Sequence, residues 1–267
     1  MRRNLLPPVV LGISFVFLWE LLCRLLRIPQ YLLPTPFQIL NEIAINFTSL
    51  VFNVGVTLGE ALLGFIVANA LAILLSISMV YVRNLDKAVM PFAIALKTTP
   101  IVAMAPLLLL WLGNGIAPKV AAAALICFFP ALVNSLRGFH ALAEGEEDLF
   151  RVYGASKTQM LMKLRFRRAA PFIFSALKVS SSLAIVGAIV GEFVGANQGI
   201  GYVILVASYH LETVRMFAAL AMAAVAGVIF YILLSYLDSK FVFWAVSPSE
   251  EIKINSPKVR KSGGVSK

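Results

Sequence analysis

Six long apolar stretches constrain this chain more than any other feature. They run over roughly residues 8–26, 55–80, 88–112, 117–136, 171–191 and 216–237. About 20 mostly apolar residues are enough for a helix to cross the hydrocarbon core of a bilayer. Within lipid, every backbone N–H and C=O must be satisfied inside the segment, so stretches of this length are helices. The expected fold is therefore all-α, a polytopic membrane protein of about six transmembrane helices. Composition agrees: 60% of the residues are hydrophobic and 13% charged, whereas a soluble domain has about a quarter of its residues charged. The apolar run at residues 200–209 is only half a span long and reads as a re-entrant or interfacial segment. Met1-Arg2-Arg3 ahead of the first run resembles the start of a signal peptide, but no small-residue cleavage site follows it, so an uncleaved first span is expected.

The formal charge is +10. The cations fall between apolar runs, which assigns them to a lipid bilayer and not to nucleic acid. With the N-terminus in the cytoplasm, 18 of the 23 Lys and Arg lie on the cytoplasmic side. Arg24, Arg27, Lys119 and Arg215 stay outside, and Lys97 falls inside the third span. This asymmetry predicts that both termini are cytoplasmic. Cys23 and Cys127 sit in apolar stretches, form no CxxC, and read as buried hydrophobes. His140 and His210 begin no HExxH, so neither a metal site nor catalytic residues are expected.

Two segments outside the spans carry their own helix signals. Thr35-Pro36-Phe37-Gln38 places a capping Thr, a Pro at the first helical position and a Gln at the third. An amphipathic helix should follow, with Phe37, Leu40, Ile43, Ala44 and Phe47 on its buried side. The second segment is the long cytoplasmic connection at about 138–170. Glu144, Glu146, Glu147 and Asp148 favour a helix N-terminus, and Glu147 and Arg151 form an i, i+4 pair. Leu149, Phe150, Val152 and Tyr153 give that helix an apolar side, and Gly154 ends it. Ser156-Lys157-Thr158-Gln159 is another capping box. It opens a helix that carries Met160, Leu161 and Leu164, with Pro171 expected to start the fifth span. The sequence thus predicts a helix-turn-helix projecting into the cytoplasm, either lying on anionic lipid or docking a partner. Residues 1–246 form the membrane domain, and the polar tail 247–267 is expected to be disordered.

Asp148-Leu149-Phe150, three residues, then Gly154-Ala155-Ser156 resembles the EAA loop of binding-protein-dependent ABC transporter permeases. That loop runs Glu-Ala-Ala, three residues, Gly. Here Asp148 replaces the Glu, Leu149-Phe150 replace the alanines, and Arg167 sits where the family often has its first later Pro. Further matches run from about 33 to 244. Leu33-Pro34-Thr35-Pro36, Lys97-Thr98-Thr99-Pro100, Ala105-Pro106-Leu107, Trp111-Leu112-Gly113-Asn114-Gly115 and Phe128-Phe129-Pro130 are similar to the nitrate/sulfonate/taurine branch. So are Asn134, Gly138, Glu192 and Gly199-Ile200-Gly201-Tyr202. The resemblance implies the type I importer fold in the bacterial inner membrane. It makes the 138–170 loop a coupling element, with Asp148, Gly154, Ala155 and Ser156 at the coupling positions and Tyr153 beside the turn. It also implies three partners: an ATP-binding cassette ATPase, an extracytoplasmic substrate-binding protein, and a second permease copy, by default an identical one. Neither Gly154-Ala155-Ser156-Lys157-Thr158 nor Lys261-Ser262-Gly263-Gly264 has P-loop spacing. The chain itself is therefore expected to bind no cofactor and to leave ATP to its partner.

Polar groups within a span cost energy, so they usually face a cavity or another helix. Lys97, Thr98 and Thr99 lie in the third span, which Pro100 and Pro106 interrupt. Ser175, Lys178 and Ser182 make an i, i+3, i+7 stripe on the fifth. Both stripes are candidates for lining a pathway for a small anionic or polar solute. Alternatively the lysines snorkel to the interface and the serines bond within their own helix. Gly187, Gly191 and Gly195 are spaced for close helix packing. Rival functions are a pyrimidine or other small-nutrient permease of the same family, a secondary transporter or channel, and an intramembrane protease.

Overall fold

The computed structural model describes residues 6–244. The elements, in chain order, are α1 (Leu6–Leu25), α2 (Pro36–Ile45), α3 (Phe47–Tyr81), α4 (Leu85–Thr98), α5 (Ile101–Leu112), α6 (Ala117–His140), α7 (Glu146–Val152) and α8 (Lys157–Gln159). A π-helical segment (Met160–Arg165) then leads into α9 (Phe166–Glu192), followed by α10 (Ile200–Tyr209) and α11 (Thr213–Phe241). Among the described residues, four helical runs are long and apolar enough to cross a membrane: α3, α6, Lys157–Glu192 and α11. The pair α4 and α5 is apolar enough to count with them but is bent by 101° at its break, the geometry of a broken span or of a re-entrant loop, and α1 covers the first apolar stretch. The expected tail at 247–267 lies outside the described residues.

The centre of the bundle is α3, α6 and α9, which approach so closely that little but Gly and Ala fits between them. Ala61, Ala68, Ala123, Ala184 and Ala188 are buried there. A Cβ on Gly187 would fall 2.5 Å from Ala123 Cα, and one on Gly191 would fall 2.7 Å from Lys119 Cα. These are backbone atoms, so relief requires moving a helix. Gly187→Val is therefore expected to destabilise the protein by about 3 kcal/mol, the upper end of ordinary overpacking. The readout is a lower melting temperature in detergent. Gly59→Ala, whose Cβ meets nothing within 4 Å, serves as the unaffected control. Gly195 does not continue this packing. It lies past the end of α9 at φ +72° and supplies a turn.

Several expectations need correction. The capping box of α2 forms as read, with Thr35 and Gln38 each accepting from the other's backbone N–H. Its buried face, however, is Pro36 and Ile39. Phe37, Leu40, Ala44 and Phe47 point outward, because α2 packs against α11 through the other apolar stripe. Pro171 does not start a span. It lies within α9, where the missing N–H leaves the Arg167 carbonyl without its helical donor, and Trp244 Nε1 takes that place at 3.3 Å. Lys119, at the start of the fourth apolar stretch, is buried at the start of α6. The 200–209 run needs no correction: it is a short apolar helix, too short for a span, packed on α11.

Candidate functional site

One end of the bundle carries a folded knob. Asp148 lies in the first turn of α7, with Glu146 and Glu147 beside it, where the helix dipole favours anions. Gly154 follows α7 at φ +69°, in the left-handed region that Cβ-bearing residues disfavour. The Ser156 hydroxyl accepts from the Gln159 N–H, and the Gln159 side chain accepts from the Ser156 N–H, at 3.2 and 2.9 Å. This is the expected second capping box. The helix it opens does not stand alone, since it continues through the π segment into α9.

The knob is tied to three long helices. Glu147 bridges Arg151 and Arg165, both at 2.8 Å. Arg165, itself buried, also donates to the Phe139 carbonyl at the end of α6, 2.9 Å away. Arg168 of α9 pairs with Glu146, and the Tyr81 hydroxyl at the end of α3 donates to the Lys157 carbonyl at 3.3 Å. Arg168, and after it the Ala143 N–H, hold the Glu146 carboxyl below its ordinary 4.5. The pairing therefore contributes fully above that ordinary value and fades as pH falls through the lowered one. What the knob presents outward is apolar: Val152 and Tyr153 are 84% and 82% exposed. Asp148, Gly154 and Ser156 are exposed beside them, and Ala155 is half-buried.

The two polar stripes are not brought together. Lys97, Thr98 and Thr99 sit at the α4–α5 bend and line a cavity of about 360 Å³ with Phe129 and Pro130 of α6. The Lys97 ammonium lies 4.7 Å from the Phe129 ring centre, a cation–π distance. Both threonine hydroxyls donate to the Ala95 carbonyl, at 3.0 and 2.9 Å. From α9, Leu183 reaches this cavity. Ser175 and Ser182 are exposed on α9, with Ser182 in a groove against α11. Lys178 is engaged by Asp238 of α11 at 2.6 Å.

A buried polar cluster occupies the end of the bundle opposite the knob, and most of it escaped the sequence reading. Glu192 accepts from the Thr57 hydroxyl at 2.6 Å and from the Gly201 N–H at 2.5 Å. Thr57 in turn accepts from the Ile200 N–H, and Asn53 accepts from the Gly199 N–H, both at 2.8 Å. Glu60 lies 3.4 Å from the Lys119 ammonium, and its carboxyl also meets that of Glu192. The cluster fixes the N-terminus of α10 against α3 and α9. Glu60 was available as a signal, since it is a carboxylate in the middle of an apolar run.

Long apolar helices packed side by side, with a folded helical knob at one end, are the architecture of a polytopic membrane protein. The chain belongs to the family of binding-protein-dependent transport system inner membrane components, whose model matches residues 61–242. It is 32% identical to a formylaminopyrimidine transport permease protein of Halalkalibacterium halodurans, over 90% of this chain and 96% of that one. It is 33% identical to a riboflavin transport system permease protein of Chloroflexus aurantiacus, over 90% of each. To a putative aliphatic sulfonates transport permease protein of Bacillus subtilis it is 26% identical, over 91% of this chain and 87% of the relative. In fold it is similar to an inward-facing methionine ABC transporter structure, with a TM-score of 0.56, 16% identity, and coverage of 80% of this chain and 99% of that one. This is an ABC importer permease, a multi-pass inner-membrane protein and a transport subunit instead of an enzyme. Membership of the family brings with it an ATPase partner and a substrate-binding protein.

Proposed function

We propose that the chain forms the translocation pathway of its importer and couples it to the ATPase through Asp148, Tyr153, Gly154, Ala155 and Ser156. The observation that carries this is the knob's construction: an exposed apolar tip braced by Glu146, Glu147 and Arg165 against the ends of α6 and α9 and by the Tyr81 hydroxyl against the end of α3. A push on the tip is then delivered to three spans at once, instead of being absorbed by a flexible loop. This reading places the knob and both termini in the cytoplasm, in line with the Lys and Arg asymmetry. It treats residues 1–246 as one membrane domain and pairs the chain with a second, identical copy. Lys97, Thr98 and Thr99 line the pathway, with the Ser175, Lys178 and Ser182 face of α9 turned toward the same route in the assembled pair.

The substrate is a small polar or anionic solute, because a cation held over an aromatic ring favours a negative or electron-rich ligand. A nitrate- or sulfonate-like anion fits the cation, and the sulfonate permease among the relatives favours it. A pyrimidine-like heterocycle is the second reading, favoured by the formylaminopyrimidine relative and by the Phe129 ring. The native cysteines, Cys23 and Cys127, are both buried, so a single Tyr153→Cys substitution gives the knob a unique accessible thiol. In the assembled transporter this thiol is expected to crosslink to the ATPase, with a yield that changes when ATP is added. Labelling of the introduced thiol by an impermeant reagent from the outer side, or no crosslink in an active complex, would overturn the coupling role.

A further inference from the structure

Between the knob and the adjoining ends of α9 and α11 lies a recess of about 670 Å³. Its walls include Glu146, Phe150, Lys163, Arg167, Arg168 and Trp244. We infer that it holds the phosphate of an anionic phospholipid headgroup, gripped by Lys163 and Arg167.

The charge balance points to an anion. Arg168 is committed to Glu146, and Arg165 to Glu147. Lys163 and Arg167 have no carboxylate partner among the described residues, and both are exposed. Among the described residues, then, the recess carries two positive charges that no carboxylate pairs. Arg167 is also held in place. Its guanidinium lies 5.4 Å from the Trp244 ring centre, while its own carbonyl, freed by Pro171, accepts from the same indole. An immobilised guanidinium suits the forked geometry of phosphate recognition.

The level of the recess points to lipid. From the π-helical segment into α9 the basic run 163–168 gives way directly to the apolar run 169–174, and Phe174 stacks on Phe241 at the end of α11, 6.3 Å between ring centres. Phe241, Phe243 and Trp244 are exposed around this level. Aromatic residues at a span end mark the headgroup zone, and basic pockets between spans bind acidic headgroups. The apolar wall, Pro171 and Phe172, continues from the recess along the span. A ligand with a charged head and apolar tails matches both parts, whereas a soluble partner would have to reach below the membrane surface.

The test uses the full chain purified in detergent and titrated with phosphatidylglycerol or phosphatidylcholine, with retained lipid read by native mass spectrometry. The unmodified protein should retain phosphatidylglycerol selectively. Lys163→Gln/Arg167→Gln should lower that retention roughly thirtyfold, as expected for two lost cation–headgroup contacts. Arg83→Gln/Lys87→Gln, which removes two cations near the α3–α4 turn that do not line the recess, should retain it. Each single variant, Lys163→Gln and Arg167→Gln, should lose part of the retention at an unchanged melting temperature, which separates binding from misfolding. Equal retention in the double variant would overturn the assignment. So would displacement of the lipid by excess inorganic phosphate, which would make this a free-phosphate site. Loss of ATPase binding with lipid retention intact would give the surface to the ATPase and overturn it likewise.

Discussion

Replacing both buried carboxylates, in Glu60→Gln/Glu192→Gln, is expected to cost about 3–5 kcal/mol, the penalty for leaving one member of a buried ion pair uncompensated. The stranded charge is Lys119, whose ammonium is 3.4 Å from Glu60 and only 7% exposed. At the start of α6 its backbone lies close against Gly191 of α9, and its side chain is buried beside Glu60. The effect should appear as a loss of monodisperse protein on size exclusion and a lowered melting temperature in detergent. Adding Lys119→Met removes the orphaned charge, so the triple variant should regain most of the loss. This recovery separates an electrostatic penalty from mere disruption of packing. Glu192→Gln alone should be mild, within about 1 kcal/mol, since the amide oxygen can still accept one of the two hydrogen bonds and Glu60 stays with Lys119. A double variant as stable as the native chain would show that Lys119 finds water after all.

The sequence shows some of this architecture well and some of it hardly at all, and the division is physical. Signals local to a few residues survive. The apolar runs become helices because lipid leaves the backbone no other way to bond. Both capping boxes form because a Ser or Thr and a Gln three residues on need nothing beyond their own turn. What depends on packing is hidden. The prolines at 100 and 106 announce an interrupted third span, but the 101° bend follows from how α4 and α5 lie against α6. For α2, two apolar stripes compete, and only contact with α11 selects Ile39 over Phe37 and Leu40. The knob shows the same split. Its acidic start, its glycine and its Glu147–Arg151 pair can be read along the chain. The second partner of Glu147, Arg165, lies across the fold, and so does the Phe139 carbonyl that Arg165 grips. The bracing that holds the knob against the bundle is therefore tertiary, and the same holds for Lys119, which reads as a cation at a span end until Glu60 is placed beside it.

Gly154→Val is expected to abolish most ATP-driven uptake while leaving the membrane fold intact. The site separates these two outcomes. A Cβ at Gly154 would meet nothing within 4 Å, so no steric clash reaches the bundle, and the residue lies outside every span. The cost is conformational. At φ +69° a side chain crowds the following carbonyl, about 1–2 kcal/mol for an ordinary residue and more for a β-branched one. The chain relieves this by leaving the left-handed region, which swings Val152 and Tyr153 away from their direction relative to Ser156. If the tip docks the ATPase as proposed, its displacement weakens that docking, so uptake in proteoliposomes containing the whole transporter should fall about tenfold, the equivalent of a local distortion of about 1–2 kcal/mol. ATP hydrolysis, if it persists, should cease to respond to the binding protein. Gly154→Asn should retain most of the uptake, because Asn tolerates the left-handed region far better than Val, and this graded order distinguishes backbone geometry from side-chain chemistry. Uptake at the native rate by Gly154→Val would mean that the turn does not set the coupling geometry, and the knob would then have to act through Asp148 and Tyr153 alone.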